Sequence, residues 1–536
     1  MHPGDWLLTP DERGNPATGI DDGRPDGTAW SDGNLVRPLV HGAAYFADLL
    51  AAVRRLRAGD LLLFTDWRGD PDERLAGPGT EVGDVFAAAA ARGVTVKGLV
   101  WRSHLDRLRF SERENRHLGE EIEEAGGECL LDMRVRPGGA HHQKFVVLRH
   151  PGRPEHDVAF VGGIDLCHGR RDDARHRGDP QGRPIADAYG PHPPWHDVQL
   201  AVRGPAVGTV ESCFRERWDD PAPLSRSPLI RLRSLLHHED TTAGTLPPRL
   251  PDPPPCGPHT VQVLRTYPNR LLRGHPFAPD GERSIARSYL KALPRARALV
   301  HLEDQYLWSP EVVSGFARAL ATAPRLHLVA VIPPVPEQDG RLTLPMNLIG
   351  RITALEELRR AGGDRVAVYG VENPAGTPVY VHAKVCIVDD TWASVGSDNI
   401  NLRSWTHDSE LNCAVLDGTP DGRAPADPGG LGDGARRFPR ELRLQLAREH
   451  LDAAEDAATT AALCDPAGAF RAFADSAAAL DAWHEGGRRG PRPPGRLRTY
   501  HPPELSRTAT ALARPLARLV ADPDGRPRRL RRRRTF

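Results

Sequence analysis

Lysine is nearly absent from this chain of 536 residues. Only Lys97, Lys144, Lys291 and Lys384 occur, and every other basic position is arginine. A chain so biased keeps lysine where a compact ammonium is needed and a planar guanidinium will not serve. Net charge is also absent: 71 basic and 71 acidic residues cancel. That argues against a surface built mainly for nucleic acid, which is normally basic. The seven cysteines form no Cys-x-x-Cys pair and are odd in number. They read as reduced thiols in a cytosolic protein, with Cys386 and Cys413 as small core residues, and exclude a disulfide framework or a zinc site of paired cysteines. No apolar run is long enough to span a bilayer, and the opening Met-His-Pro-Gly-Asp-Trp lacks the pattern of a signal peptide.

What is present is a pair of matching motifs. Ala-His-His-Gln-Lys-Phe-Val-Val-Leu covers residues 140 to 148, and Val-His-Ala-Lys-Val-Cys-Ile-Val-Asp covers 381 to 389. Each sets a His and a Lys two apart at the start of a β-branched run. Residues two apart share a face of a strand, so His142 should lie with Lys144 and His382 with Lys384. His141 and His196 should face the other way. An imidazole beside an ammonium suits phosphoryl chemistry: the ring attacks phosphorus or moves a proton, and the lysine neutralises phosphate oxygens. Two of the four lysines stand here. A Gly-small turn follows each motif, Val-Gly-Gly-Ile-Asp (161–165, with Gly162 and Gly163) and Val-Gly-Ser-Asp-Asn (395–399, with Gly396 and Ser397). A strand opening with an acid comes next, from Asp197 and from Glu410.

The surrounding pattern repeats as well. In the first half the order is a helix over 43–57, strands over 61–67 and 94–101, a helix over 115–125 stopped by Gly126-Gly127, then strands near 128–135, 141–148, 157–162 and 197–203. In the second it is a helix over 284–293, strands over 299–303 and 326–332, a helix over 348–361 stopped by Gly362-Gly363, then strands near 365–369, 381–388, 392–395 and 410–416. This predicts a duplicated α/β unit. The expected divisions are an irregular arm (1–38), a first repeat (39–219), a Pro-rich linker (220–258), a second repeat (259–436), a helical segment (437–485) and a linker with a basic, solvated tail (486–536). His-His-Glu-Asp at 237–240 reads as a solvated charge cluster.

The motifs resemble those of the phospholipase D superfamily, His-x-Lys-x4-Asp with a Gly-Gly or Gly-Ser turn. The second copy fits in full: His382, Lys384, Asp389, Gly396, Ser397 and Asn399. The first departs, with Arg149 in place of the Asp and Asp165 in place of Asn. The resemblance is strongest to the eukaryotic-type enzymes and runs through His-Leu-Glu-Asp-Gln-Tyr (301–306), Pro-Trp-His-Asp-Val (194–198), Asn-Ile-Asn-Leu-Arg-Ser (399–404) and Arg-Glu-His-Leu (448–451). It implies a duplicated α-β-α sandwich, the phospholipase D/nuclease fold, with two repeats packed as a pseudo-dimer around one active site. It implies a phosphodiesterase releasing phosphatidic acid from glycerophospholipids, or transferring the phosphatidyl group to an alcohol, through a phosphohistidine. His142 is then the nucleophile, His382 the general acid and base, and Lys144 and Lys384 the phosphate clamp. Asn399, Asp165, Ser397, Glu303, Gln305 and Tyr306 are the candidates for the substrate pocket, and Asp389 with the glycines serves structure. Each His needs a partner on its other ring nitrogen. Repeat symmetry nominates Asp197 for His142 and Glu410 for His382. The expected protein is a monomer, cytoplasmic and peripheral to a membrane. It needs no metal or other cofactor, calcium acting at most as a stimulant at the lipid surface, and no nucleic acid. A cardiolipin-synthase-like transferase and a nuclease on the same scaffold are the rival readings.

Overall fold

The computed structural model describes all residues except 23, 25, 104–111, 238, 271–273 and 338–342. The first half supplies β1 (Ser31–Val40), β2 (Leu61–Asp66), β3 (Thr95–Trp101), β4 (Glu128–Asp132), β5 (Phe145–Arg149), β6 (Val158–Gly162), β7 (Trp195–His196) and β8 (Val198–Arg203). The second supplies β9 (His259–Tyr267), β10 (Glu282–Arg283), β11 (Leu299–Asp304), β12 (His327–Val331), β13 (Val366–Glu372), β14 (Pro378–Val381), β15 (Lys384–Val388), β16 (Trp392–Gly396), β17 (Glu410–Asp417) and, late in the chain, β18 (Leu497–Thr499). The first sheet runs β4-β3-β2-β5-β6-β8-β1. The second runs β13-β12-β11-β15-β16-β17-β9. The two orders match strand for strand, parallel in the first three strands and antiparallel beyond. β1 pairs antiparallel with β9 and joins the sheets edge to edge.

Continuous apolar runs such as Leu61–Phe64 belong to strands covered on both faces. Phe145, Val147 and Leu200 of the first half meet Val385, Ile387 and Val415 of the second in one shared core. Helices Ala206–Trp218 and Arg437–Leu451 close it with Phe214 and Leu442. The outer face of the first sheet carries helices Gly42–Arg54, Val82–Ala91 and Glu112–Glu124. Ser284–Ala292, Pro310–Thr322 and Thr343–Gly362 cover the second in the same way. The duplicated α/β unit is as the repeat pattern predicted, and its α-β-α layering is as the resemblance implied.

Several boundaries differ from the sequence reading. The arm over 1–38 is not irregular: β1 begins in it and runs past its end to Val40, its alternation interrupted in sequence by Gly33 and Pro38, and Trp6, Leu7 and Leu8 enter the core of the second half. The Pro-rich linker holds helix Pro228–Leu236. The C-terminal stretch is not a loose tail. β18 adds to β13, helices Arg507–Leu516 and Arg528–Arg533 follow, and the Phe536 ring packs 5.4 Å from Trp405. In the 237–240 cluster, Glu239 is tucked against Arg102 at 2.8 Å rather than solvated, and His238 lies outside the described residues. The motif residues His142 and Lys144 precede β5 instead of sitting in it, and His382 falls in the gap between β14 and β15.

Arg149 and Asp389 occupy equivalent positions, and both are structural. Asp389 accepts the backbone N–H groups of Arg297, Ala298 and Leu299 at 2.7 to 2.9 Å, clamping the start of β11. Arg149 is fully buried, bonded to Asp157 at 2.8 Å, to Glu211 and to the carbonyl of Pro251. The motif aspartate can be lost because both residues hold the chain far from the imidazoles. Arg149→Ala would take the buried guanidinium from Asp157, leaving it only His150, and would leave Glu211 to Arg215 alone. The cost should be about 3 kcal/mol, the lower end for breaking a buried pair. A guanidinium unfolding midpoint unchanged in the variant would refute this.

Candidate active site

The two motifs meet across the junction of the repeats. His142 and His382 line one cavity of about 490 Å³, together with Trp67, Trp101, Trp195 and Tyr306. Nδ1 of His142 bonds Glu410 Oε2 at 2.9 Å, and Nδ1 of His382 bonds Asp197 Oδ2 at 2.7 Å. The pairing is therefore the reverse of the one nominated above: each imidazole takes its acid from the other repeat. The backbone gives the reason. The N–H of His142 donates to the carbonyl of Ser409 at 2.9 Å, and the N–H of His382 donates to the carbonyl of His196 at 2.8 Å. Each motif is zipped in parallel onto the segment ahead of the other repeat's acid, with His141 against Ser409 and Val381 against His196. The residue following each carbonyl is the acid. Local repeat symmetry could not show this, because the contact belongs to the pairing of repeats. With Nδ1 of each ring engaged, Nε2 of each is left for a substrate.

The lysines lie deeper. Lys144 Nζ donates to the carbonyl of His142 at 2.9 Å and sits 3.5 Å from Asp165. Lys384 Nζ donates to the carbonyl of His382 and to Gln305 Oε1, the latter at 3.2 Å. Burial pushes the Lys384 ammonium down to about 8, against the pull of Asp197 and Asp304. Burial, Lys384 and Arg170 hold the His382 imidazole well below its ordinary value, so it is neutral near pH 7 in the free protein.

Asp165, an anion where a phosphate would sit, is disarmed. Against its burial, Lys144, a hydrogen bond from Asp66 and the Arg170 guanidinium keep it ionised. Burial and Asp165 raise the Asp66 carboxyl well above the carboxylate range, so Asp66 carries the proton between them. Asp66 also accepts the N–H of Leu166 at 2.8 Å, as Asp304 accepts that of Ile400 at 2.9 Å. These two acids end β2 and β11 and fix the turns bearing Asp165 and Asn399.

The other candidates divide. Gln305, Tyr306, Asp165 and Asn399 line the cavity. Ser397 does not: its hydroxyl donates to Glu410 Oε2 at 2.6 Å, orienting the acid behind His142. Its counterpart Gly163 packs against Asp197, where any Cβ would collide with the carboxylate. At Gly396 a Cβ would run into Asn412. Glu303 is fully buried on the opposite side of β11, bonded to His196 at 2.6 Å, His450 at 2.8 Å and His301 at 3.0 Å, and does not reach the substrate pocket. His196 and His141 point away from the cavity, as alternation predicts.

The sequence reading missed Arg170, whose guanidinium stacks 3.9 Å from the Trp195 ring and lines both this cavity and an adjoining cleft with Arg68 and Arg183. It also missed Trp67 and Trp101. Both stand at the carboxyl ends of parallel strands, where open α/β sheets place their ligands. Leu519, Val520 and Pro523, from the C-terminal stretch, complete the cavity wall.

Two imidazoles sharing one cavity, each braced by a carboxylate and flanked by a lysine, on a duplicated α/β scaffold, define a class. The chain belongs to the phospholipase D superfamily. The family model described as Phospholipase D matches residues 71–313, and the one described as Cardiolipin synthase, PLD-like domain matches 347–419. Within the superfamily it is of the eukaryotic type. It is 26% identical over 458 residues to phospholipase D alpha 1 of Ricinus communis, covering 63% of this chain and 56% of that protein. To phospholipase D alpha 1 of Oryza sativa subsp. japonica it is 24% identical over 502 residues, covering 70% and 61%. The chain thus spans less than two thirds of the length of these relatives. The solved phosphatidylserine synthase of Haemophilus influenzae Rd KW20 aligns over 72% of this chain and 82% of its own, at 13% identity and a TM-score of 0.45.

Two outcomes follow from the geometry. Asp197→Asn and Glu410→Gln each remove the charge that holds an imidazole in the required tautomer, and turnover should fall by up to about 10⁴-fold, as in other carboxylate–histidine pairs, with circular dichroism unchanged. Lys384 is charged below about pH 8 and neutral above it. Phosphate binding should therefore weaken as pH rises through that value, and a kcat/KM profile flat across pH 8 would refute the clamp role.

Proposed function

We propose that the protein is a phosphodiesterase of phospholipase D type, acting on glycerophospholipids at a membrane surface through a phosphohistidine. The observation that carries this reading is the crossed pair of braced imidazoles on one cavity. His142 Nε2 attacks phosphorus, the P–O bond to the head group breaks, and His382 protonates the departing alkoxide. Arrival of the phosphate anion beside His382 offsets the nearby cations and raises its proton affinity, so the ring enters the reaction charged. In the second step neutral His382 takes a proton from water or an alcohol, whose oxygen displaces His142 from phosphorus. Splitting the displacement lets an alcohol compete with water. Lys144 and Lys384 offset the charge on the phosphate oxygens, the part that a divalent ion plays in other phosphoryl transfers.

The shape of the site supports an amphiphilic substrate. Tryptophans and Leu519 present apolar surface beside the imidazoles, and the adjoining cleft is polar, with Arg68, Arg170 and Arg183 set among Glu114, Asp187 and Glu337. No helix among the described residues is long and apolar enough to cross a membrane. We place the enzyme in the cytoplasm as a monomer that meets lipid from the aqueous side. Transfer of a phosphatidyl group to an alcohol, as in a cardiolipin-synthase-like reaction, is the variant favoured by the second family model.

The test is an assay on mixed phosphatidylcholine and phosphatidylethanolamine vesicles, with and without a primary alcohol and with and without calcium. Phosphatidic acid should form, shift to phosphatidyl-alcohol when alcohol is present, and vanish in His382→Ala. In His142→Ala no radiolabelled phosphoenzyme should accumulate. Inertness on lipid together with cleavage of DNA would overturn the reading in favour of a nuclease.

A further inference from the structure

Behind Asp197, on the side away from the cavity, three imidazoles converge on one carboxylate. His41 Nε2 lies 2.9 Å from Glu449 Oε2, His176 Nε2 lies 2.9 Å from Oε1, and His196 Nδ1 lies 3.4 Å from Oε1. The imidazoles are fully buried and Glu449 is nearly so. The four ligand atoms lie within 4.8 Å of one another.

The outer contacts of these rings decide what the inner atoms are. His176 Nδ1 faces only acceptors, the carbonyl of Trp195 at 3.1 Å and Asp172 Oδ2 at 3.8 Å, so Nδ1 carries the hydrogen. His196 Nε2 faces Glu303 Oε2 at 2.6 Å and carries the hydrogen there. In the neutral rings, His176 Nε2 and His196 Nδ1 are therefore lone pairs aimed at a carboxylate, acceptor against acceptor. His41 Nδ1 is shared between the carbonyl of Asp197 at 3.2 Å and the N–H of Asp197 at 3.4 Å. With the hydrogen on Nδ1, toward the carbonyl, His41 Nε2 is a third lone pair toward Glu449; with Nδ1 accepting the Asp197 N–H, Nε2 carries a hydrogen that a metal ion would displace.

Positive charge must fill the middle of this cluster, as protons on the rings or as a metal ion. The ring centroids stand 4.7 to 5.6 Å apart, so several imidazolium ions would repel one another in a buried space. One divalent ion avoids that, because its two charges are balanced by Glu449 and by Glu303 one shell out. A tetrahedral zinc ion with bonds of about 2.0–2.1 Å needs donor atoms roughly 3.3 Å apart, close to the spacing between the carboxylate and each ring. Ligand imidazoles that donate their outer N–H to a carbonyl or carboxylate are the usual arrangement around such ions.

We propose that His41, His176, His196 and Glu449 form a structural zinc site. Glu303, held also by His301 and His450, is its outer carboxylate. His41, His176 and His196 come from the first half of the chain and Glu449 from helix Arg437–Leu451 of the second half, so the ion clasps the two halves. Its ligand His196 immediately precedes Asp197, and His41 contacts the Asp197 backbone. The ion positions the acid that orients His382 and takes no part in the reaction.

The test is metal analysis of the purified full chain and does not depend on any activity toward lipid. Zinc should be present at about one ion per chain as isolated or after incubation with zinc and dialysis, and it should raise the melting temperature. Cobalt(II) in its place should give the visible d–d bands of a tetrahedral site with nitrogen and oxygen ligands. Glu449→Gln and His176→Gln should each bind zinc more than about tenfold more weakly. A wild-type chain that takes up neither zinc nor cobalt, with a melting temperature indifferent to both and to chelator, would overturn the proposal and leave the cluster held by protons. Full zinc retention in a folded Glu449→Gln variant would also overturn it.

Discussion

Two backbone hydrogen bonds, from His142 to Ser409 and from His382 to His196, set the geometry of the site. They convert the packing of two similar halves into a single catalytic arrangement. The shared apolar core brings the sheets together and β1–β9 pairing fixes their edges, but only the parallel bridges bring each imidazole to the acid it uses. The short β7–β14 ladder extends one of these bridges. Neither acid is a free-standing choice of side chain: Glu410 opens β17 and Asp197 directly precedes β8, and the residue before each is already bonded to the opposite motif.

The scarcity of lysine also becomes intelligible at this level. Arginine does the structural work of charge. Arg13, Arg134, Arg149, Arg217, Arg265, Arg440 and Arg443 are all fully buried, and each grips one or more carboxylates. A planar guanidinium can satisfy several acceptors at once in such positions. Lysine is retained beside the two imidazoles, where each ammonium, on a flexible stem, donates to the carbonyl of its own motif histidine. The neutral net charge thus conceals a strongly ionic interior.

Much of this was legible beforehand because it is local. The His-x-Lys motifs, the Gly-small turns and the order of helices and strands are patterns within about ten residues, and they gave the duplicated α/β unit. What was not legible was whatever depends on one half meeting the other. The exchange of Asp197 and Glu410, the diversion of Ser397 to Glu410 and the turning of Glu303 toward His450 all lie in contacts between distant segments. β1 was hidden for a different reason, since Gly33 and Pro38 mask its alternation. The folded C-terminal stretch was hidden by its arginines, which read as solvent-loving although Phe536 anchors them to Trp405.

The crossing of the acids has a consequence for how such a molecule can be divided. A single repeat, alone, holds an imidazole without its orienting carboxylate and a carboxylate without its imidazole, so chemistry is a property of the joint and not of either half. Two identical copies could in principle trade acids symmetrically. The present halves have drifted past that: Gly163 faces Ser397, Asp165 faces Asn399 and Arg149 faces Asp389 as counterparts. A self-paired first repeat would bring together two Asp165 carboxylates where the chain now has one carboxylate and one amide. The molecule is in effect an obligate heterodimer written in one polypeptide, and mutations in one half are read out in the other.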